Sequence, residues 1–252
     1  RNVSASTLRK YLNAISAVFS YGTKTEMIDV NPVRKYDKSY LPKEKARIRF
    51  LTKEEYQELL ANCSYELLKQ AVILAVETGL RQEELMSLKW SENQIDFINK
   101  EITVYFTKNT EHRTIPITPP AFKVLRSLYD SKKEYDACIN SKPCEYVFFN
   151  FNTQKRVKSF KKSFATAKRN ANIKDLHWHD LRHTFATWAL KGWFKWQLQK
   201  DANGDYTIIE TMTLYELQIW LGHKDIRVTQ RYAHYEDKGL HRKIGSYNYE
   251  YE

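Results

Sequence analysis

Hydrophobic periodicity changes from helical to strand-like in the first half of this chain of 252 residues, and that switch limits the folds open to it. Through most of the sequence, apolar residues recur at three- and four-residue steps, the spacing of amphipathic helices. Between residues 95 and 117 the pattern becomes that of strands. There, IDF, EITVYF and RTIPI are rich in β-branched and aromatic residues and are separated by Asn99-Lys100 and Asn109-Thr110. Three short strands joined by tight turns read as an antiparallel meander. The expected class is therefore mainly α (α+β): a helical domain with one small three-stranded antiparallel sheet. With 42% apolar residues, a chain of this length can bury a core without staples. A mean hydropathy of −0.64 and the lack of any apolar run near about eighteen residues argue against a membrane span. Cys63, Cys138 and Cys144 are odd in number and form no C-x-x-C pair, so a reduced, cytoplasmic setting is expected.

Residues 6–21 place Leu8, Leu12, Ile15 and Phe19 on one helical face. One helix cannot bury that face alone, and it reads either as the end of a small helical domain whose earlier helices precede Arg1 or as a helix packed on a partner. From Asn31 to Arg49 follow two prolines and seven Lys/Arg against two acidic residues. Arg34, Lys35, Lys43, Lys45 and Arg47 fit either a solvated linker or a strap along a phosphate backbone. Thr52-x-x-Glu55 is a capping box that starts the next region. A buried helix is expected over residues 65–78, stopped by Gly79, with helical spacing again from Arg81 to Trp90. Residues 155–169 hold seven basic residues and no acidic ones. On a helix, Lys155, Lys158, Lys162 and Arg169 would share one face, with Phe160, Phe164 and Ala167 on another. Net charge is +11, which points to a polyanionic partner, although plain basic solubility also fits.

Three local clusters carry chemistry. In Thr78-Gly79-Leu80-Arg81-Gln82-Glu83-Glu84-Leu85, a guanidinium lies beside a helix start, where phosphate is welcome, and Glu84 can hold Arg81 in place. In His179-Asp180-Leu181-Arg182-His183-Thr184, helical spacing lets His179 and Arg182 address one group together, with His183 adjacent. His177, His179 and His183 also raise a zinc site, but Arg182 would repel a cation and no Cys or carboxylate set completes it. The third cluster is Leu221-Gly222-His223, with Tyr232 nine residues later.

In that order, Arg81, His179-x-x-Arg182, His223 and Tyr232 resemble the tyrosine recombinases, the phage-type integrases and their relatives. Those proteins carry T-G-L-R-x-x-E-L, H-x-L-R-H-T and L-G-H boxes and a terminal Tyr, and all four match over roughly residues 50–236. The resemblance implies a DNA breaking-rejoining enzyme-like fold, a helical catalytic domain and no metal or other cofactor. It implies double-stranded DNA with specific recombination sites as partner, and a protein monomeric when free and tetrameric in the synaptic complex. Accessory DNA-bending or directionality proteins belong to the same picture. It also implies a hairpin lysine, best matched by Lys108 in Thr107-Lys108-Asn109; Arg113 across the turn is a poor substitute. On this reading residues 1–40 end a DNA-clamping domain, 41–50 form a basic linker, and 51–252 form the catalytic domain.

These residue types suit phosphoryl chemistry on their own terms. Arg81 and Arg182 can neutralise a phosphodiester and its transition state. A tyrosine that ionises near about pH 10 needs a base, expected to be His179. His223 is expected to hydrogen-bond the phosphate, and Lys108 to protonate the departing 5′ oxygen. A topoisomerase-like nicking and closing enzyme would use the same six residues, and a non-catalytic DNA-binding protein is the rival of another class. Residues 192–212 depart from the pattern. Phe194, Trp196 and Leu198 alternate with polar residues and Asn203-Gly204 is a turn signal, so an inserted hairpin is expected over about 193–211. Thr213-x-x-Glu216 then caps another helix. The tail at 239–252 reads either as a segment that packs on a neighbouring subunit or as an acidic tail without fixed structure.

Overall fold

The computed structural model describes residues 3–36, 48–91, 93–105, 112–138, 144–200, 206–208 and 211–235. The chain divides into two compact units, Arg1–Arg47 and Ile48–Glu252. In the first, helix α1 (Ala5–Lys24) is N-capped by Ser4, whose hydroxyl accepts from the Thr7 N–H. A 3₁₀ turn at Pro32–Lys35 follows. Asn31 ties that turn to α1: its Nδ2 donates to the Ser16 carbonyl at 2.9 Å and to the Ser20 hydroxyl at 2.9 Å. No residue of α1 is buried, and Tyr11, Ile15, Val18 and Tyr21 are exposed. Arg34 and Lys35 are exposed on the turn, whereas Lys43, Lys45 and Arg47 lie outside the described residues.

The second unit is helical around a small sheet, the class expected from periodicity. Helix α2 (Lys53–Ala61) begins with the Thr52/Glu55 capping box, both reciprocal bonds being present. Helix α3 (Glu66–Thr78) is buried along most of its length and packs between α5 (Pro119–Cys138) and α7 (His179–Lys191). A helix apolar on nearly all sides belongs in the middle of a core. Gly79 stops α3 at φ 63°. Helix α4 is short, Gln82–Met86. The helical spacing continues to Trp90, but the chain leaves the helix because Lys89 bridges to Tyr146 and the Trp90 N–H donates to the Glu145 carbonyl at 2.7 Å.

Strands β1 (Ile95–Asp96), β2 (Glu101–Tyr105) and β3 (His112–Pro116) form an antiparallel sheet in sequence order, with Val104 opposite Arg113. The Asp96 carboxylate caps the first turn by accepting the Ile98 and Asn99 N–H groups. The second turn, with Lys108, lies outside the described residues.

Two expectations fail locally. Helix α6 spans only Lys161–Asn170, so Lys155 and Lys158 do not share a helical face with Lys162 and Arg169. Residues before it are extended, since the Val157 N–H donates to the Phe148 carbonyl and Arg156 bridges to Phe149. All four cations are nonetheless exposed, while Phe160, Phe164 and Ala167 enter the core. After Gly192 ends α7 at φ 65°, the alternation at 194–197 is not a strand. Phe194 is buried against Phe185 and Trp188, Lys195–Gln197 is a 3₁₀ turn, and Gln197 Nε2 donates to the Ala189 carbonyl. That carbonyl also accepts the Met212 N–H, so the excursion leaves and returns at one point. Between these anchors β4 (Leu198–Lys200) pairs antiparallel with β5 (Tyr206–Ile208). Helix α8 (Leu214–Leu221) starts with the Thr213/Glu216 box and ends at Gly222, φ 65°. Helix α9 (Ile226–Gln230) and a 3₁₀ turn at Ala233–Tyr235 close the described chain; the tail at 239–252 is outside it.

Candidate active site

The starts of α4 and α7, the ends of α3 and α8 and one strand meet at the site. Arg81 is the N-cap residue of α4, and its backbone N–H donates to Glu84 Oε2 at 2.9 Å while Nη1 donates to Oε1 at 2.7 Å. Sequence spacing anticipates this hold. It does not anticipate the second cation on the same carboxylate. Arg113, from β3, donates Nη2 to Glu84 Oε2 at 2.8 Å and Nη1 to Oε1 at 3.1 Å, and its Nε donates to the Trp220 carbonyl at 2.9 Å. Far from being a substitute for the hairpin lysine, Arg113 is buried and joins the sheet to α4 and to the end of α8. Burial pushes the Glu84 carboxyl up, but Arg113 and then Arg81 outweigh it and bring its pKa down to about 2.

Arg182 is buried on α7. Its Nη1 donates to the Gly79 carbonyl at 2.6 Å and its Nη2 to the Leu221 carbonyl at 2.6 Å. The first is the carbonyl of the cap residue just past α3 and the second the last carbonyl of α8, where the helix dipole places partial negative charge. Nη2 also lies 3.1 Å from His223 Nε2. A guanidinium only donates, so Nε2 accepts and Nδ1 of a neutral His223 carries the proton toward Thr229 Oγ1, 2.8 Å away. Burial first, then Arg182 and Arg81, pull the His223 pKa down to about 3, so it is neutral at pH 7. Burial and the Arg81 charge likewise pull Arg182 below the usual guanidinium value. Glu84 thus pairs Arg81 and Arg113, and Arg182 adds a third guanidinium held by carbonyls alone, an excess of positive charge suited to an oxyanion.

Tyr232 is 2% exposed, held by its backbone N–H to the Thr229 carbonyl. Its hydroxyl hydrogen-bonds His183 Nδ1, and burial raises its pKa to about 12. Here the arrangement departs from expectation: His179 is the exposed first residue of α7, and the nucleophile candidate meets the next histidine inward. The His179 and His183 rings stand edge to face at 4.9 Å. Behind them, Tyr235 packs edge-on against Phe50 at 5.3 Å, and Lys191 Nζ lies 4.5 Å from the Trp193 ring centre and 5.4 Å from that of Tyr235. Among the described residues, no group of three His, Cys, Asp or Glu is placed to hold a metal ion. No described helix is long and apolar enough to cross a membrane.

Comparison with known proteins gives consistent matches. The model of the phage integrase family matches residues 49–198, more than half of the chain. The tyrosine recombinase XerA of Saccharolobus solfataricus is 32% identical over 188 residues, covering 74% of this chain and 52% of its own length. A putative integrase/recombinase of Haemophilus influenzae is 27% identical over 197 residues, covering 72% and 49%. The chain therefore spans about half the length of these curated relatives. Among solved structures, the Tn1549 transposon integrase in complex with a circular intermediate DNA superposes with a TM-score of 0.70 at 19% identity, over 92% of this chain and 75% of that one. At that identity the likeness is one of fold.

Proposed function

The chain belongs to the phage integrase family, and from that premise we propose that it is a site-specific DNA recombinase, the integrase of a mobile element, which cleaves and rejoins DNA through a 3′-phosphotyrosyl intermediate. One observation carries the reading: residues from four distant stretches, Arg81, Arg182, His223 and Tyr232, gather around a single cation-rich site. The fold likeness to an integrase recorded on DNA supports double-stranded DNA as the partner.

In the proposed reaction the scissile phosphate enters between Arg81 and Arg182. Arg182 spends some of its five donors on the Gly79 and Leu221 carbonyls, which aims the rest at the phosphate oxygens and stabilises the charge that builds up in the transition state. As the phosphate takes Arg182 Nη2, His223 Nε2 is released, and the added negative charge favours a proton there. His223 then donates to a phosphate oxygen, and His179 at the mouth of the site does the same. Tyr232 Oη attacks phosphorus, and Lys108 protonates the leaving 5′ oxygen. Bond energy is kept in the phosphotyrosyl link, so the steps need no metal or nucleotide.

On the same reading, residues 1–40 end a DNA-clamping domain joined by 41–50 to the catalytic domain 51–252. Arg34, Lys35, Lys43, Lys45, Arg47, Lys155, Lys158, Lys162 and Arg169 grip the DNA backbone, and four protomers assemble on two sites. The test is a nicked suicide duplex incubated with full-length protein. A covalent adduct is expected, and Tyr232→Phe abolishes it; an adduct that survives this substitution refutes the assignment. Strand exchange between two captured sites then separates recombination from nicking and closing.

A further inference from the structure

We propose that His183, not His179, is the base that takes the proton of Tyr232 in cleavage and returns it in religation, an inference that rests on Tyr232 being the nucleophile. The two groups are already in contact. Tyr232 Oη and His183 Nδ1 share a hydrogen bond, both residues are buried, and their ring centres are 5.7 Å apart. His179 is one turn outward on the same helix and is exposed, so it addresses what enters the site rather than the phenol. A phenol donates best to an unprotonated ring nitrogen, which places the proton of neutral His183 on Nε2. Neutrality follows from the surroundings. Burial first, then the facing charges of His179, Arg231 and Arg182, hold the His183 pKa down to about 4 against the opposing pull of Asp180.

The need for a base is large. Burial raises the Tyr232 pKa to about 12, so the phenol keeps its proton at pH 7 until a group in contact with it takes that proton away. In cleavage the Oη–H bond breaks and its proton passes to Nδ1. The Oη lone pair forms the bond to phosphorus, the P–O5′ bond breaks, and O5′ leaves with a proton from the Lys108 ammonium. In religation the 5′ hydroxyl attacks phosphorus, its proton returns to Lys108, and Nδ1 hands its proton to the departing Oη. The incoming phosphodiester raises the basicity of the imidazole as it enters, so proton acceptance is coupled to substrate.

The experiment is single-turnover adduct formation by full-length protein on a nicked duplex, its sequence first recovered by wild-type capture from a randomised library. His183→Gln keeps a hydrogen-bonding amide and removes the basic nitrogen. Adduct formation is expected to slow about 100-fold or more with duplex affinity unchanged. A ring-fluorinated tyrosine at position 232, whose phenol is more acidic, is expected to recover roughly tenfold or more of that loss. A loss that fluorination leaves unmoved overturns the proposal, as does a recovery confined to His179→Gln. Should His183→Gln not fold, the unsubstituted protein decides. Its His183 Nδ1 should show the ¹⁵N shift of an unprotonated, hydrogen-bond-accepting nitrogen that moves in Tyr232→Phe, and a protonated Nδ1 overturns the proposal. If the wild-type protein captures no member of the library, the recombinase reading itself fails, and with it the need for a base.

Discussion

Replacing Glu84 by Gln tests the electrostatic frame of the site, because it deletes one charge and little volume. The carboxylate holds two guanidiniums of unequal exposure: the side chain of Arg81 is 40% exposed and that of Arg113 is 8% exposed. An exposed pair contributes at most about 1 kcal/mol, so the Arg113 arm should dominate. Two routes give its size. The Glu84 pKa falls from 4.5 to about 2, a displacement equivalent to about 3 kcal/mol. Removing one partner of a buried pair costs about 3–5 kcal/mol, because the other charge is left desolvated and unpaired. A loss near 3 kcal/mol corresponds to roughly 6–12 °C in Tm for a unit of this size. Because the folded-state pKa is depressed, the contribution is complete above about pH 4.5 and is lost as pH falls toward 2. The assay is thermal melting of wild type, Glu84→Gln, Arg81→Ala, Arg113→Ala and the two double variants, at pH 7 and at steps down to pH 3. Coupling of Glu84 to Arg113 should exceed that to Arg81 by about 1 kcal/mol or more, and the wild-type advantage should shrink with acid. A Tm change under about 2 °C, or equal couplings to both arginines, would refute the reasoning.

The remaining predictions follow from single contacts. Gly79→Ala places a Cβ 2.5 Å from Phe185 Cδ1 at φ 63°, so strain and overpacking together should cost about 3 kcal/mol or more in a denaturant melt; a loss under about 1 kcal/mol contradicts the packing. Arg182→Lys replaces a fork by a point charge that cannot span both the Gly79 and Leu221 carbonyls. Adduct formation should fall about 100-fold or more while duplex affinity changes much less, and an equal fall in both would reduce Arg182 to a plain binding group. Tyr235→Ala removes the ring that packs on Phe50 and faces Lys191, so the Tyr232–Tyr235 turn should loosen. Its amides are expected to exchange about tenfold faster with deuterium, and unchanged protection would show that the aromatic box does not hold the nucleophile segment.

What was legible in the sequence is what short-range physics decides. The two capping boxes and the glycine stop at Gly79 rest on residues within a few positions of one another, and the meander of β1 to β3 on strands that follow one another in sequence. What was not legible depends on backbone partners brought from elsewhere. The basic run before α6 has helical spacing, yet its Val157 N–H donates to the Phe148 carbonyl and its Lys155 carbonyl accepts the Asn150 N–H, and the alternation at 194–197 yields to the Ala189 carbonyl. Arg113 is the instructive case, since its partners are 29 and 107 residues away. A signal for it was present all the same. Alternation in RTIPI puts Arg113 on the same side as Ile115 and Ile117, and both isoleucines are buried. A cation on the core face of a strand requires a buried acid, and the acid that can answer it is one already read as holding Arg81. His183 obeys the same rule, lying within an α7 whose residues from Asp180 to Leu190 are all buried. The exposed His179 attracts attention by motif, whereas burial, which decides which nitrogen reaches Tyr232, is set by how α7 packs on α3. The site is therefore the polar inner face of the core as much as a pocket on it, and its chemistry is fixed by which charged positions point inward.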